Sequence, residues 1–143
     1  MSRERATTRR RAREVAFRVT YQADLTHDTY AQAWNARRDQ EALSGDSLEL
    51  VEDVIRLLER DSEAVDRELT RAAENWPLER LGATDRSVLR AAIAELMSRP
   101  GTPARVVLDE AIDIAKRYGT DDSGRFVNGV LDRVARSLRP AEF

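Results

Sequence analysis

Apolar residues recur at intervals of three and four along most of this chain, and this spacing constrains the fold more than any other feature. The longest such series falls on one helical face: Leu50, Val51, Val54, Leu57, Leu58, Val65, Leu69 and Ala72. No stretch alternates apolar and polar residues over the length of a strand. The spacing therefore predicts an all-α protein, a compact orthogonal bundle of about seven helices, one of them a single turn at residues 78–81.

Capping residues and prolines separate the predicted helices. The first helix is expected to begin at the N-cap Thr8, after a disordered basic arm at residues 1–7. A capping box beginning at Asp46 should start the long third helix. That helix should end at Trp76-Pro77, because the residue before a proline is pushed out of the α region.

The later helix boundaries carry similar signals. Thr84 is expected to cap one helix, and Thr102-Pro103 should start the next in the preferred order of cap and then proline. Gly119 is the expected C′ residue of that helix. The last helix should begin at Asp121 or Asp122.

The composition limits the kinds of site that the chain can carry. Its 143 residues, 41% hydrophobic and 35% charged, suit a single helix-rich globular domain over residues 1–143. The absence of cysteine and the single histidine, His27, exclude a disulfide framework, a thiolate metal site and a site of several imidazoles. No apolar run approaches the roughly 20 residues of a membrane span. We expect a soluble cytoplasmic protein with no cofactor, no metal and no membrane partner.

The net charge of -2 conceals a strong polarity along the chain. Residues 1–20 contain seven arginines and two glutamates, whereas residues 39–79 contain thirteen acids and four arginines. A basic end on an acidic body indicates that this end meets a polyanion. All basic residues except Lys116 are arginines, a bias that genomic base composition explains, so the choice of arginine is not itself evidence.

The run Arg9-Arg10-Arg11-Ala12-Arg13 is the clearest functional signal. Consecutive arginines fan around a helix end, where each can bind a phosphate with two hydrogen bonds or stack on a base. Cations in the first turns of a helix also oppose its macrodipole, and such a broken local rule often marks a functional site. The run indicates RNA or DNA binding, and the alternative is a solvated basic tail.

Two aromatic residues near the last helix are candidate stacking platforms for unpaired bases. Phe126 follows Arg125 near the start of that helix, and the alternative is a core phenylalanine. Tyr118 ends the preceding helix, where it is either a second platform or a packing residue. Asn128-Gly129 is unfavourable inside a helix, and we interpret it structurally, with Asn128 bonding to a neighbouring loop and Gly129 permitting close helix packing.

Two acidic pairs, Glu110 with Asp113 and Asp121 with Asp122, could suggest metal or acid–base chemistry. No paired histidine, nucleophile or phosphate-binding glycine loop accompanies them, so we interpret them as helix-face and capping residues. The sequence contains no catalytic constellation.

Several segments together resemble the NusB family of bacterial transcription antitermination factors. They follow the family in order and with compatible spacing over nearly the whole chain, except residues 25–48. These segments are residues 9–14 with Tyr21-Gln22, Trp76-Pro77-Leu78-Glu79-Arg80-Leu81, residues 85–92 with Glu95-Leu96, residues 107–111, Ala115-Lys116-Arg117-Tyr118-Gly119, and Arg125-Phe126-Val127-Asn128-Gly129-Val130-Leu131-Asp132.

The resemblance implies more than the residue patterns do. It implies a protein without enzyme activity that pairs with the ribosomal protein NusE, binds the boxA element of nascent ribosomal RNA leaders and loads an antitermination complex on RNA polymerase. Some members self-associate as homodimers through a surface that overlaps the RNA site. By this resemblance the partner protein would contact Tyr21 and Asp85, and the RNA would contact Arg9, Arg10, Arg11, Arg13, Tyr118, Asp122 and Phe126, with Arg125 beside them.

Two other readings remain open at this point. One is the NusB-like N-terminal domain of an rRNA cytosine methyltransferase, which needs a following cofactor domain, whereas this chain ends at Phe143. The other is a helical scaffold that binds only proteins. The scaffold reading predicts that alanine at Arg10, Arg11 and Arg13 leaves all partner binding intact.

Overall fold

The computed structural model describes the backbone of residues 2–74 and 76–143, with their side chains from Thr8 onward. These residues contain no strand and six α-helices: α1 (Ser2–Thr26), α2 (Tyr30–Arg37), α3 (Gly45–Ala72), α4 (Ala83–Ser98), α5 (Ala104–Tyr118) and α6 (Ser123–Leu138). The predicted turn at residues 78–81 is a short 3₁₀ helix, Leu78–Arg80. The all-α prediction is confirmed, and six helices with this turn account for the predicted seven.

The first helix begins earlier and the third ends earlier than predicted. Helix α1 begins at Ser2 rather than at the N-cap Thr8. The predicted disordered arm at residues 1–7 falls on residues whose side chains lie outside the described part of the chain, and it stays a prediction. Helix α3 ends at Ala72, before the predicted stop at Trp76-Pro77.

The predicted capping box at Asp46 is wrong. Gly45 adopts a φ of 57°, and helix α3 begins there, so Asp46 already lies inside the helix. Its carboxylate instead accepts a hydrogen bond from Arg9 at 3.1 Å. The capping box is at α2, where the Thr29 hydroxyl accepts from the Gln32 amide at 3.0 Å and the Gln32 side chain accepts from the Thr29 amide at 2.9 Å.

Threonine caps neither α4 nor α5. Helix α4 begins at Ala83, with Gly82 in the N-cap position, so Thr84 lies within the first turn. Helix α5 begins at Ala104 after an extended Pro103. The Ala104 amide donates to the carboxylate of Glu142 at 2.8 Å, so a residue near the C-terminus supplies the cap that local sequence was expected to provide.

Two glycines are required by close packing at the turn between α5 and α6. Gly119 has a φ of -98°, so it is not left-handed, but a Cβ there would overlap the Ser123 hydroxyl. A Cβ at Gly124 would lie 2.9 Å from Cγ of Lys116. These contacts bring the first turn of α6 directly against the last turn of α5.

Helix α4 lies at the centre of the bundle and packs against α1, α3, α5 and α6. The largest fully buried side chains line its neighbours as well as α4 itself: Val15, Val19, Leu50, Val51, Val54, Leu58, Val65, Leu69, Leu89, Ile93, Leu108 and Leu131. Every one of these helices contributes to this one core, and α2 does so through Ala33 and Trp34. Within the described residues, no helix combines the length and apolarity needed to cross a membrane.

Candidate nucleic-acid interface

Three arginines of the predicted run, Arg9, Arg10 and Arg11, lie on the surface of α1. Their side chains are 40%, 54% and 54% exposed. Each forms an ion pair with at least one acid that lies outside α1. The pairs are Arg9 with Asp46 at 3.1 Å, Arg10 with Glu110 at 3.0 Å and Asp113 at 3.8 Å, and Arg11 with Glu41 at 3.9 Å. The hydrogen bond from Arg10 to Glu110 is the main cause that raises the pKa of this guanidinium above its ordinary value.

Arg13, the fourth arginine of the run, is buried. Its side chain is 6% exposed, and Nε and Nη2 make three contacts of 2.7–3.0 Å with the carboxylate of Glu95, which is itself 3% exposed. Glu110 lies 3.8 Å from the same guanidinium. The structure therefore places Arg13 in the core between α1 and α4, away from the predicted RNA surface, because a buried carboxylate on α4 requires a charged partner.

Tyr118 is 36% exposed at the end of α5 and packs against α1. Its ring lies 5.3 Å from that of Phe17, centroid to centroid. Its hydroxyl accepts a hydrogen bond from Arg18 at 2.9 Å and donates to Glu14 at 3.4 Å. One side of the ring is thus packed, and the exposed remainder lies beside the guanidinium of Arg18, whose pKa is raised chiefly by this hydrogen bond.

Sequence reasoning missed both Arg18 and Arg117 as members of this surface. Arg117 forms a close ion pair with Glu14, the same acid that accepts from Tyr118. Arg18 could have been found from the helical period, because it lies two turns after Arg11 on the polar face of α1. The ion pair of Arg117 with Glu14 could not have been predicted from the sequence, because it depends on how α5 packs on α1.

The start of α6 carries the remaining predicted RNA residues. Asp122 is exposed in the N-cap position of α6, and its side chain makes no capping hydrogen bond. Phe126, one turn later, is half-buried and packs against the core with part of its ring. Arg125 is exposed, and the described residues include no hydrogen-bond or ion-pair partner for it. Phe126 therefore packs against the core and also presents part of its surface to solvent, and its role as a stacking platform stays a prediction.

The structural interpretation of Asn128-Gly129 is wrong. Asn128 is exposed and makes no side-chain hydrogen bond to another described residue. A Cβ at Gly129 would meet only an Arg133 nitrogen at 4.0 Å, so no helix packs closely there. Gly124 is the glycine of α6 that close packing requires.

The two predicted partner-binding residues flank an ion-pair network. Tyr21 on α1 and Asp85 on α4 are both half-buried. Between them, Asp24 accepts two hydrogen bonds from Arg86, at 3.2 and 2.7 Å, and one from Arg90 at 3.1 Å. Burial, the largest single influence, acts to raise the pKa of Asp24, but Arg86 and Arg90 together hold it below its ordinary value.

Arg86 also ties this region to the loop before α4. Its Nη1 donates to the carbonyl oxygens of Leu78 and Leu81 at 2.9 and 2.8 Å. The loop, the end of α1 and the first turn of α4 are thereby held as one rigid surface around Tyr21 and Asp85. No local pattern indicates this network, because Asp24 precedes Arg86 and Arg90 by more than 60 residues.

The acidic pairs singled out in the sequence form no metal site in the described part of the chain. No group of three or more histidine, cysteine, aspartate or glutamate side chains there could hold a metal ion. Glu110 and Asp113 both pair with Arg10, while Asp121 and Asp122 are exposed near the start of α6. His27 is exposed in the turn after α1, where its φ is 63°.

Comparison with known sequences gives one consistent result. The model of the NusB family matches residues 10–136 of this chain. A transcription antitermination protein NusB from Anaeromyxobacter dehalogenans is 40% identical over 140 residues, which cover 94% of this chain and 96% of the relative. One from Koribacter versatilis is 38% identical over 135 residues, which cover 92% and 90%.

Comparison with solved structures agrees. T. maritima NusB superposes with a TM-score of 0.83 at 39% identity, and the match covers 90% of each chain. A crystal structure of the antitermination factors NusB and NusE in complex with dsRNA matches with a TM-score of 0.81 at 26% identity, covering 92% of this chain and 98% of the other.

Proposed function

Because this chain belongs to the NusB family, we propose that it is a transcription antitermination factor that binds the boxA element of nascent ribosomal RNA leaders together with the ribosomal protein NusE. The similar structure of NusB and NusE with dsRNA supports both partners. Through them the protein would join the antitermination complex on RNA polymerase. Its role is binding in the cytoplasm, with no chemical step.

One observation carries the RNA part of this proposal. Arg10, Lys116 and Arg117 line a single groove between α1 and α5, and Lys116 also lines the adjoining groove with Arg125 on α6. Cations from three helices thus line two adjoining grooves, which also contain the carboxylates of Glu14, Glu110, Asp113, Asp109 and Asp121. Cationic side chains beside the exposed ring of Tyr118 and the half-buried ring of Phe126 suit a single RNA strand, which offers both phosphates and unstacked bases.

The surface arginines are able to exchange their partners. The ion pair of Arg10 with Asp113 is exposed at both ends and contributes about 0–1 kcal/mol. A phosphate that binds a guanidinium with two hydrogen bonds gains more than this. Arg11 can also leave Glu41, because this 12% exposed carboxylate keeps its ion pair with Arg37 at 3.2 Å. Arg13 is different, because its withdrawal would leave Glu95 buried and uncompensated. We therefore propose an RNA surface built from Arg9, Arg10 and Arg11 without Arg13.

We place the protein partner at Tyr21 and Asp85. The network of Asp24, Arg86 and Arg90 fixes the helices that carry these two side chains, so the surface is organised before binding. Such pre-organisation reduces the ordering that binding would otherwise require. The half-buried carboxylate of Asp85 has no ion-pair partner among the described residues, which suits a cationic side chain of the partner.

The methyltransferase reading has less support. The match extends over 96% and 90% of two relatives that are themselves antitermination proteins, rather than over part of a longer enzyme.

A titration of boxA RNA against a scrambled RNA of equal length tests the proposal, at low and high salt and with or without NusE. We expect weak boxA binding by the protein alone, tighter binding with NusE, and lower affinity at high salt. Replacement of Arg10 and Arg11 by glutamine should weaken binding about tenfold or more. The matched control is glutamine at Arg56 and Arg71, which are exposed on α3 and each paired with one acid. Equal affinity for the two RNAs would refute sequence-specific recognition.

A further inference from the structure

The groove between α5 and α6 is lined by two facing stripes with the same helical spacing. In each stripe the lining residues lie at positions i, i+3, i+4 and i+7, the spacing of one helical face, and Asp121 extends the α6 stripe into the turn just before that helix. The α5 stripe consists of Asp109, Ile112, Asp113 and Lys116, and the α6 stripe consists of Asp121, Gly124, Arg125 and Asn128. Helices that only pack together would place apolar residues along such stripes, whereas six of these eight positions are charged or polar amides.

Lys116 is held in this groove by Gly124. Its aliphatic stem crosses the first turn of α6, so that a Cβ at Gly124 would lie 2.9 Å from Cγ and 3.1 Å from Cε of the lysine. The ammonium group follows from this stem and lies near the N-terminus of α6. A cation there opposes the helix macrodipole, and no carboxylate of a described residue lies within ion-pairing distance of it. A bound anion would relieve this unfavourable placement.

Three further side chains of the groove also have no partner among the described residues. They are Asp121, Arg125 and Asn128, and all three are exposed. The other two acids of the groove are engaged, Asp113 with Arg10 at 3.8 Å and Asp109 with Arg105 at 3.6 Å. The groove thus offers two cations, one amide and one carboxylate that the fold itself does not use.

We infer that this groove holds one unpaired nucleotide of the bound RNA, an inference that rests on the proposed function. Lys116 and Arg125 bind the flanking phosphates. Asn128 and Asp121 form hydrogen bonds with the edge of the base. The base lies over Ile112, the half-buried apolar residue of the α5 stripe.

The mixture of groups favours a nucleotide over a simple polyanion. A site for phosphates alone would not include the carboxylate of Asp121, which repels them. A base edge, however, presents amino donors for a carboxylate, and it presents both donors and acceptors for an amide. The placement also explains Asn128, whose position inside a helix is locally unfavourable and which serves no packing contact.

Two variants separate the two kinds of contact. Lys116→Gln removes one phosphate contact, so we expect about tenfold weaker binding of both boxA and scrambled RNA. The slope of log affinity against log salt should also become shallower by about 0.7. Asn128→Ala removes a base contact, so boxA should bind about tenfold more weakly, while scrambled RNA changes less than about twofold.

The matched controls are Arg67→Gln on α3 and Asn35→Ala on α2. Both residues are exposed and, like their counterparts, have no partner among the described residues. We expect neither control to change RNA affinity by more than about twofold. Thermal denaturation of all four variants should match that of the wild type, since none of these side chains is buried.

The outcomes distinguish this inference from the proposed function. If the wild type binds boxA specifically but Lys116→Gln and Asn128→Ala bind as the wild type does, the groove is not a nucleotide site and the proposed function stands. If both variants bind RNA normally but lose affinity for NusE, the groove binds protein and the inference is wrong. If the wild type shows no preference for boxA, the proposed function fails and the inference fails with it.

Discussion

Loss of Arg13 alone should lower the stability of the fold more than loss of any arginine on the surface of α1. Replacing Arg13 with methionine would leave the carboxylate of Glu95, 3% exposed, without the three contacts that it now receives. Glu110 cannot compensate, because it is a second acid close to the same guanidinium. Loss of one partner of a buried pair lowers the free energy of unfolding by about 3–5 kcal/mol. In a chain of this length the melting temperature should fall by about 10–15 °C.

The assay is urea and thermal denaturation followed by the circular dichroism of the helices. The double variant Arg13→Met with Glu95→Leu removes both charges, so its free energy of unfolding should lie within about 1 kcal/mol of the wild-type value. The control Arg11→Met breaks a 3.9 Å pair between an exposed arginine and Glu41, which keeps its ion pair with Arg37, and should cost less than about 1 kcal/mol. A loss below about 1 kcal/mol in Arg13→Met, or a double variant no more stable than the single one, would refute the reasoning.

The same double variant tests whether Arg13 belongs to the RNA surface. We expect it to bind boxA RNA with wild-type affinity, since the structure places Arg13 inside the bundle. A loss of affinity as large as that of the variant with glutamine at Arg10 and Arg11 would instead show that RNA contacts Arg13.

Three further predictions concern the glycines of α6, the C-terminal segment and acid stability. Gly129→Ala should raise the free energy of unfolding by about 0.5–1 kcal/mol, because alanine favours the helix and the position is open. Gly124→Ala should lower the free energy of unfolding by about 1–3 kcal/mol, because the added Cβ would clash with the stem of Lys116. If urea denaturation showed that both variants change stability in the same direction, this prediction would be wrong. Arg139→Gln should lower the free energy of unfolding by about 2 kcal/mol, because the guanidinium, 10% exposed, donates to the backbone carbonyl oxygens of Leu96 in the last turn of α4 and of Arg99 and Thr102 after it. An unchanged urea midpoint would contradict this. Burial acts to raise the pKa of Asp24, but two arginines hold it below its ordinary value, so its contribution to stability is present above about pH 3.9 and is lost as the pH falls through the lower folded value. Urea denaturation from about pH 6 to about pH 2 should therefore show a larger loss in the wild type than in Asp24→Asn, and parallel losses would exclude this carboxylate as the cause.

The helices and the core could be predicted because both follow from local spacing. Leu50, Val54 and Leu69 lie on one helical face in the sequence, and all three are buried in the structure. The helix starts could not be predicted with the same success. Glu142 caps α5 from the far end of the chain, and no local pattern reports a contact of that kind.

The candidate site shows the same division. The arginine run was recognisable from charge alone, but the burial of Arg13 depends on Glu95, which lies 82 residues later. A signal was nevertheless present, because Arg13 precedes Ala16 and Phe17 by one turn on a face whose other members are buried. For the glycines no such signal existed, since the difference lies in what is opposite them: the stem of Lys116 on α5 lies against Gly124, whereas Gly129 has only an Arg133 nitrogen of its own helix at 4.0 Å.

The internal acids that hold Arg9, Arg10 and Arg11 have a consequence for how RNA binding responds to salt. When a phosphate binds one of these arginines, the aspartate or glutamate that was paired with it loses its partner and attracts a cation from solution. This uptake offsets part of the cation release from the RNA that drives binding. The slope of log affinity against log salt would then correspond to fewer phosphates than the protein contacts. Lys116 has no paired acid among the described residues, so its phosphate contact would contribute its full share to this slope.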